Sequence, residues 1–230
     1  VLAVAVQLDE VGDGLELRDE APGREEVAVV HVPDGYADAI RAVREMGYVN
    51  VGTIEFLVNL HSGQYWFLSI NRRLEVEHTV TEDLTNIDLV REQISIAEGM
   101  PLAISQEEVN LLGKAVQVRI NAEDPEKFTP SPGQITKYSA PGGFGVRVDS
   151  VMESGAVVVP YYDSMIAKLI THGRDRQESM ARMRRALDEF VIEGIKTTIP
   201  LHKRIITHKD FISGNFDTHS LERMFPVQPK

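Results

Sequence analysis

Asn71-Arg72-Arg73-Leu74-Glu75-Val76-Glu77-His78 interleaves charged with apolar side chains, and Arg73, Glu75 and Glu77 share one parity. On an extended backbone those three would stand on one face, because strand side chains alternate sides. A guanidinium beside two carboxylates can hold an anion and move a proton. The same pattern also describes an edge strand with solvated ion pairs, which are individually weak. His78 closes the stretch as either a general base or a structural histidine.

Upstream, Gly52–Val58 and Gln64–Asn71 read as the two strands of a hairpin, with His61-Ser62-Gly63 in the turn. Alternation sets Thr53, Glu55 and Leu57 on one face, and Tyr65, Phe67, Ser69 and Asn71 on one face of the second strand. If those faces coincide, Glu55 lies near Ser69 and Asn71. Asp34–Met46 reads as a helix, with Asp34 as its N-cap, a stripe of Tyr36, Ile40 and Val43, and Gly47 where it stops. Residues 1–30 read as short strands around Val11-Gly12-Asp13-Gly14. The apolar start Val1–Leu8 lacks the basic flank and cleavage site of a signal peptide and reads as a buried strand. The chain does not begin with Met, so it is expected to start inside a longer parent.

Downstream, Asn86–Ala97 reads as a helix ended by Gly99 and Pro101. Ala115–Ile120 is a strand with Gln117 and Arg119 on one side and Val116, Val118 and Ile120 on the other. Arg119 there either serves a site or covers an edge beside a carboxylate. The Gly- and Pro-rich stretch from Pro130 to Pro160 suggests antiparallel sheet, and Met165–Ile170 a strand covered on both faces. Pro141-Gly142-Gly143-Phe144-Gly145 is a turn and a poor phosphate loop, since no strand precedes it and no helix follows. Asp175–Val191 is an amphipathic helix with Met180, Met183, Leu187 and Phe190 at helical spacing, and Arg182, Arg184 and Arg185 as its solvated face. Pro200 can open another helix. Strands and helices that do not strictly alternate point to an α+β fold.

The composition narrows the classes. A formal charge of -11 argues against a nucleic-acid partner. The absence of cysteine excludes disulfides, thiolate catalysis and Cys-ligated zinc. No apolar run approaches the roughly 20 residues that span a bilayer. A cytoplasmic or organelle-matrix location fits these features, with no membrane partner.

The hairpin and the stretch after it, Gly52-Thr53-Ile54-Glu55-Phe56-Leu57 and Asn71–Glu82, closely resemble the carboxyl-terminal half of biotin carboxylase, an ATP-grasp family. So do Arg119-Ile120-Asn121-Ala122-Glu123-Asp124-Pro125, Pro130-Ser131-Pro132-Gly133, Tyr161–Lys168 and Glu193–Pro200. The resemblance runs from Gly47 to about Leu221, and its late segments look more like acetyl-CoA or propionyl-CoA carboxylase subunits of fatty acid synthesis than like pyruvate carboxylase. It implies a partial ATP-grasp region over residues 1–110 and a biotin carboxylase C-terminal domain of mixed or antiparallel sheet over 111–230. It implies carboxylation of biotin on a carrier from ATP and bicarbonate, with magnesium or manganese. It further implies a homodimer working with a biotin carboxyl carrier domain and a carboxyltransferase subunit.

By the same resemblance, Glu55 matches a magnesium ligand and Asn71 a neighbour in that metal and phosphate site. Arg73, Glu75 and Val76 match the bicarbonate site, and Arg73 also lies near the phosphates. Glu77 matches the general base, and Arg119 the arginine that steadies the biotin enolate. Phe144 and Arg147 match the homodimer interface. Hard oxygen ligands suit magnesium, and arginine stabilises developing negative charge.

The departures from the family pattern are specific. Ser69 stands where the family has Glu, which removes one of two magnesium carboxylates. Glu75 stands where it has Gln, and this sets a negative charge in an anion site. Arg72 replaces a small residue and could offset Glu75. If Arg18-Asp19 marks the family's Arg-Asp-Cys-Ser segment, the catalytic lysine position falls near Ala28. The family's amino-terminal domain and glycine-rich lid lie outside these residues, so the chain is expected to be inactive alone, and to bind magnesium, ATP and biotin either through the residues named above or not at all. Three readings follow: part of a biotin carboxylase, a catalytically degenerate structural or regulatory subunit, and a module that binds a biotinylated carrier.

Overall fold

The computed structural model describes residues 4–10, 33–59, 62–217 and 219–225. The expected turn at Val11–Gly14, His61 of the hairpin turn and the position near Ala28 lie outside the described residues. The chain divides into two compact units. One runs to Asn110 and takes in the residues from Phe216, and the other is Leu111–Asn215.

The first unit is built on a β-α-β crossover. Strand β1 (Val4–Glu10) leads to helix α1 (Pro33–Glu45) and then to β2 (Gly52–Val58), which pairs parallel with β1. Parallel neighbours need such a connection because a tight turn cannot reverse the chain twice. Strand β3 (Tyr65–Asn71) adds antiparallel to β2, for the order β1-β2-β3. Asp34 lies inside the first turn of α1 rather than at its cap, since the helix begins at Pro33. Its buried face is Ala39 and Val43, one turn apart, and they pack with Ile54 and Phe56. Ile40 is only half-buried, and the Tyr36 side chain lies outside the described residues. After α1 the chain turns at Gly47, whose φ of 60° favours glycine. There Tyr48 N donates to Val43 O at 2.9 Å, which closes the helix end.

Two elements after the hairpin differ from expectation. The segment after Asn71 does not stay extended. It bends at Arg72 and Arg73, turns at Val76 and Glu77, and opens helix α2 (His78–Thr85). Asn86, expected to start a helix, ends this one in the left-handed conformation (φ 57°). Helix α3 (Leu89–Ala97) follows, with the Asp88 carboxylate accepting from Arg91 N at 2.9 Å. A short 3₁₀ turn covers Gln106–Glu108.

The second unit is antiparallel throughout its sheets. In chain order its elements are β4 (Lys114–Asn121), β5 (Gly133–Gln134), β6 (Lys137–Ser139), β7 (Val146–Asp149), β8 (Val157–Val158), β9 (Met165–Gly173), α4 (Arg176–Glu189), β10 (Val191–Glu193), α5 (Ile199–Thr207) and α6 (Lys209–Ser213). Its main sheet has the order β4-β9-β7, and β5 with β8 and β6 with β10 form two small antiparallel pairs. Helix α7 (Ser220–Met224) lies in the residues grouped with the first unit.

Helix α4 covers the main sheet. Met183, Ala186 and Leu187 are fully buried with Ile120 and Leu169, and Val116 and Val118 pack against the same cluster. The helix stops at Glu189, and Val191 instead begins β10. Asp175 caps its start by accepting from Glu178 N at 2.8 Å. Gly173 is required here, because a Cβ would lie 2.6 Å from Ser179 N. The buried hydroxyls of Thr171 and Ser179 each donate to the other's carbonyl at 3.0 Å. These mutual bonds satisfy groups whose unpaired burial would be costly. The chain is α+β, with helices set against sheets that are antiparallel except for the β1–β2 pair.

Candidate functional site

The hairpin brings Glu55 opposite Ser69, and Thr53 opposite Asn71. The Ser69 hydroxyl donates to Glu55 Oε2, and Asn71 Nδ2 donates to Glu55 Oε1 at 3.1 Å. Both carboxylate oxygens are therefore held by neutral donors from the neighbouring strand. The expected face is broken further along. The strand register shifts after Glu55, so that Phe56 pairs with Phe67 and Leu68 falls in a bulge. The Tyr65 and Phe67 rings meet Phe56 edge-on, with centroids 5.6 and 6.3 Å away, and do not join Ser69 and Asn71.

Beyond the strand end, Arg73 Nε donates to Glu75 Oε1 at 2.6 Å. Arg73 keeps 68% of its side chain exposed, whereas Glu75 keeps 16%. The Glu75 carbonyl accepts from His78 N at 3.2 Å and from the His78 ring at Nδ1 at 2.7 Å. A carbonyl can only accept, so His78 carries its proton on Nδ1 and acts as a brace for the turn. Val76 and Glu77 are half-buried in that turn, and Glu77 is the residue from which α2 starts. The shared face expected for Arg73, Glu75 and Glu77 is thus replaced by a turn that folds Glu75 onto Arg73. Asn71, Arg72 and Arg73 also line a cleft of about 750 Å³ with Tyr48, Asn50 and Gln93.

Arg119 lies in the second unit, on β4 opposite Lys168 of β9. Its side chain is half-buried and stands away from the core face, as the alternation with Ile120 predicts. Sequence reasoning missed how its backbone is held. The Arg119 carbonyl accepts from Thr198 Oγ1 at 3.1 Å and from His202 Nε2 at 2.7 Å. Thr198 Oγ1 also accepts from Asn121 N at 3.0 Å. Both holding residues sit at the start of α5, about 80 positions away in sequence, and no local pattern announces them. Withdrawal from water lowers the pKa of His202, only partly countered by its bond to the Arg119 carbonyl.

Phe144 and Arg147 lie in the same unit. Phe144 is 87% exposed, and the Arg182 guanidinium lies 5.0 Å from its ring centroid. Arg147 grips Asp149 with both Nε and Nη2, at 2.8 and 2.9 Å. Burial disfavours the Asp149 charge, but Arg147 and Lys168 outweigh that and hold its pKa below the usual range. Arg182 is not part of a solvated face. Only 18% of its side chain is exposed, because it reaches back to Glu178 and to the His172 carbonyl.

Comparison with known proteins places these residues in a family. The model for the biotin carboxylase C-terminal domain matches residues 117–223, and that for the carbamoyl-phosphate synthase L chain ATP-binding domain matches 35–105. Biotin carboxylase 1 of Bacillus subtilis is 52% identical over 185 residues, which are 80% of this chain and 41% of that protein. The chain belongs to the biotin carboxylase family. Biotin carboxylase from Pseudomonas aeruginosa is 47% identical over 203 residues, 88% of this chain and 44% of that protein. Among solved structures, the biotin carboxylase domain dimer of Hydrogenobacter thermophilus 2-oxoglutarate carboxylase, in complex with MgADP, ADP and bicarbonate, matches with a TM-score of 0.81 at 42% identity. That match covers 86% of this chain and 46% of the other. The chain spans less than half the length of the biotin carboxylases it matches.

The donor set around Glu55 fits a hard divalent cation. Glu55 brings a carboxylate, Ser69 a hydroxyl and Asn71 an amide oxygen. Magnesium is commonly held by one or two carboxylates, with phosphate oxygens and waters completing its shell. Among the described residues no group of three or more His, Asp and Glu is placed to hold a metal. Among the described residues no helix is long and apolar enough to cross a membrane.

Proposed function

We propose that the chain supplies part of the nucleotide, metal and bicarbonate site of a biotin-dependent carboxylase, with residues 1–110 as its partial ATP-grasp region and 111–230 as its C-terminal domain. The carboxylase would make carboxybiotin on a carrier from ATP and bicarbonate. The observation that carries the reading is the hairpin, where Glu55 and Asn71 meet on paired strands and lead straight into Arg73 and Glu77. Glu55 and Asn71 would hold magnesium, which when bound neutralises phosphate charge. Arg73 would hold the bicarbonate, Glu77 would take its proton, and Arg119 would steady the negative charge that develops on biotin. A carrier domain and a carboxyltransferase subunit would be the working partners, in the cytoplasm or an organelle matrix.

A second reading, a non-catalytic subunit, is favoured by Ser69 and by the Glu75 carboxylate lying on Arg73. Turnover separates the two. We would measure ATP hydrolysis with magnesium, bicarbonate and biotin, using the chain alone and the chain mixed with a separately expressed amino-terminal half of a biotin carboxylase. Activity only in the mixture, stimulated by biotin, is the expected result. No biotin-stimulated turnover from a folded mixture would leave the non-catalytic reading.

A homodimer through Phe144 and Arg147 belongs to the same proposal. A phenylalanine left 87% exposed on a soluble surface is a natural anchor for a partner. Light scattering at micromolar concentration should give twice the chain mass, and Phe144→Ala should lower it.

A further inference from the structure

We infer that Glu75 is a built-in competitor for the anion at Arg73, so that this chain's own carboxylate determines which anions the site accepts and how weakly. The inference rests on the reading of Arg73 as an anion-binding arginine. A guanidinium offers its N–H groups along fixed edges, and a planar anion is held best by two parallel N–H bonds from one edge. Glu75 Oε1 takes Nε at 2.6 Å, so the edge that includes Nε is already engaged.

The competitor is well placed to win. Glu75 is only two residues from Arg73, and a tether that short corresponds to an effective concentration of at least about millimolar. Its backbone is not free to swing away, because the carbonyl is fixed by both His78 N and His78 Nδ1. With 16% of the Glu75 side chain exposed and 68% of Arg73, the carboxylate sits on the sheltered side and the guanidinium faces outward. A free monoanion must therefore displace a tethered carboxylate and then sit beside its charge. A larger anion that reaches the outer edge of Arg73, such as a phosphate carried by a nucleotide, meets less of this penalty. The site would discriminate against small free anions while still accepting phosphate groups that bring their own anchoring.

The experiment is a bicarbonate titration of the whole chain, read by broadening of the ¹³C-bicarbonate resonance and by calorimetry. It compares the wild type, Glu75→Gln, Glu75→Ala and the pair Arg73→Ala with Glu75→Gln. Circular dichroism melts confirm that each variant is folded, and Glu75→Ala stands in if the glutamine variant is not. The expected result is about threefold tighter bicarbonate binding in Glu75→Gln, lost again when Arg73→Ala is added. Equal affinity in wild type and Glu75→Gln, with loss in the Arg73 variant, would overturn the competitor while leaving the anion site in place. Binding that no Arg73 substitution changes, or no binding by any folded variant, would overturn the anion site and the competitor together.

Discussion

Arg73 and Arg119 are both candidate site residues, yet they are held in opposite ways. Arg73 sits past the end of a strand, largely exposed, and its main partner is two residues away. Arg119 sits within a strand, and its carbonyl is held by Thr198 and His202 from a helix that arrives about 80 residues later. One environment is local and leaves the charged group outward. The other is built by the tertiary fold and fixes the backbone behind the charged group. Substitutions near Arg73 should therefore change binding and spare stability. Substitutions behind Arg119 should do the reverse.

The largest expected effect lies in the second unit. Leu187 is fully buried against Leu169, Ile120 and Met183. Leu187→Ala should cost about 2–5 kcal/mol, through lost transfer energy and the cavity left behind. Urea unfolding monitored by circular dichroism reads this directly. An unchanged midpoint would break the comparison, since the β4 mooring would then not depend on the core beneath it. Next comes Ser69→Glu in the hairpin. It restores a second carboxylate beside Glu55, and magnesium-nucleotide affinity should rise about tenfold in a calorimetric titration with MgADP. Without magnesium the same substitution should lower the urea midpoint modestly, because it replaces the hydroxyl donor to Glu55 by a like charge on the directly paired residue of a half-buried face. A large stability loss with no gain in affinity would show that Glu55 needs the Ser69 hydroxyl for folding.

The contrast also explains what could be read from the sequence. Strand alternation correctly placed Glu55 beside Ser69 and Asn71, and set Arg119 opposite the core side of β4, because those patterns are set by a two-residue period. Alternation failed at Leu68, where a bulge shifts the register, and at Arg73–Glu77, where parity was read through a turn. Leu74 and Val76 continue the apolar alternation past the end of the strand and so hide it, and the helix that follows begins with no side-chain cap bond to signal it. Asn86 has the sequence setting of a helix start but is a left-handed helix end, a conformation asparagine tolerates. The roles of Thr198 and His202 were not legible at all, because their partners lie about 80 residues distant and their own neighbours carry no trace of them.

His202 supplies a test in pH. Loss of water around its ring lowers its pKa below that of an ordinary imidazole, with the Arg119 carbonyl bond acting in the opposite direction. The unfolded chain ionises near the unperturbed value, about 6.5. As pH falls below that value, the unfolded state takes up a proton that the folded state resists. Stability from this group is therefore present above pH 6.5 and lost as pH falls toward the folded pKa, with a slope of at most about 1.4 kcal/mol per pH unit. His202→Gln keeps a donor for the Arg119 carbonyl and removes the titration. Urea midpoints measured from pH 7.5 to 5 should fall less steeply in that variant. Parallel curves would mean that His202 ionises as easily folded as unfolded, and the second unit would lose its distinction from the hairpin on this point.

The smallest expected effect completes the contrast at Arg73. An ion pair with one partner 68% exposed is screened by water, even at 2.6 Å. Holding a long guanidinium side chain in place also costs rotamer entropy. A double-mutant cycle with Arg73→Ala and Glu75→Ala should give a coupling to folding of no more than about 0.5 kcal/mol. The half-buried Glu75 carboxylate is the part to watch. If its burial makes Arg73 essential, Arg73→Ala alone will be clearly destabilising, and adding Glu75→Ala will restore stability. That outcome would make the bridge a structural tie of the kind found behind Arg119. A coupling near zero would instead mean that the two residues are paired in the structure but free to separate, as an arginine must be if an arriving anion is to displace the carboxylate that occupies it.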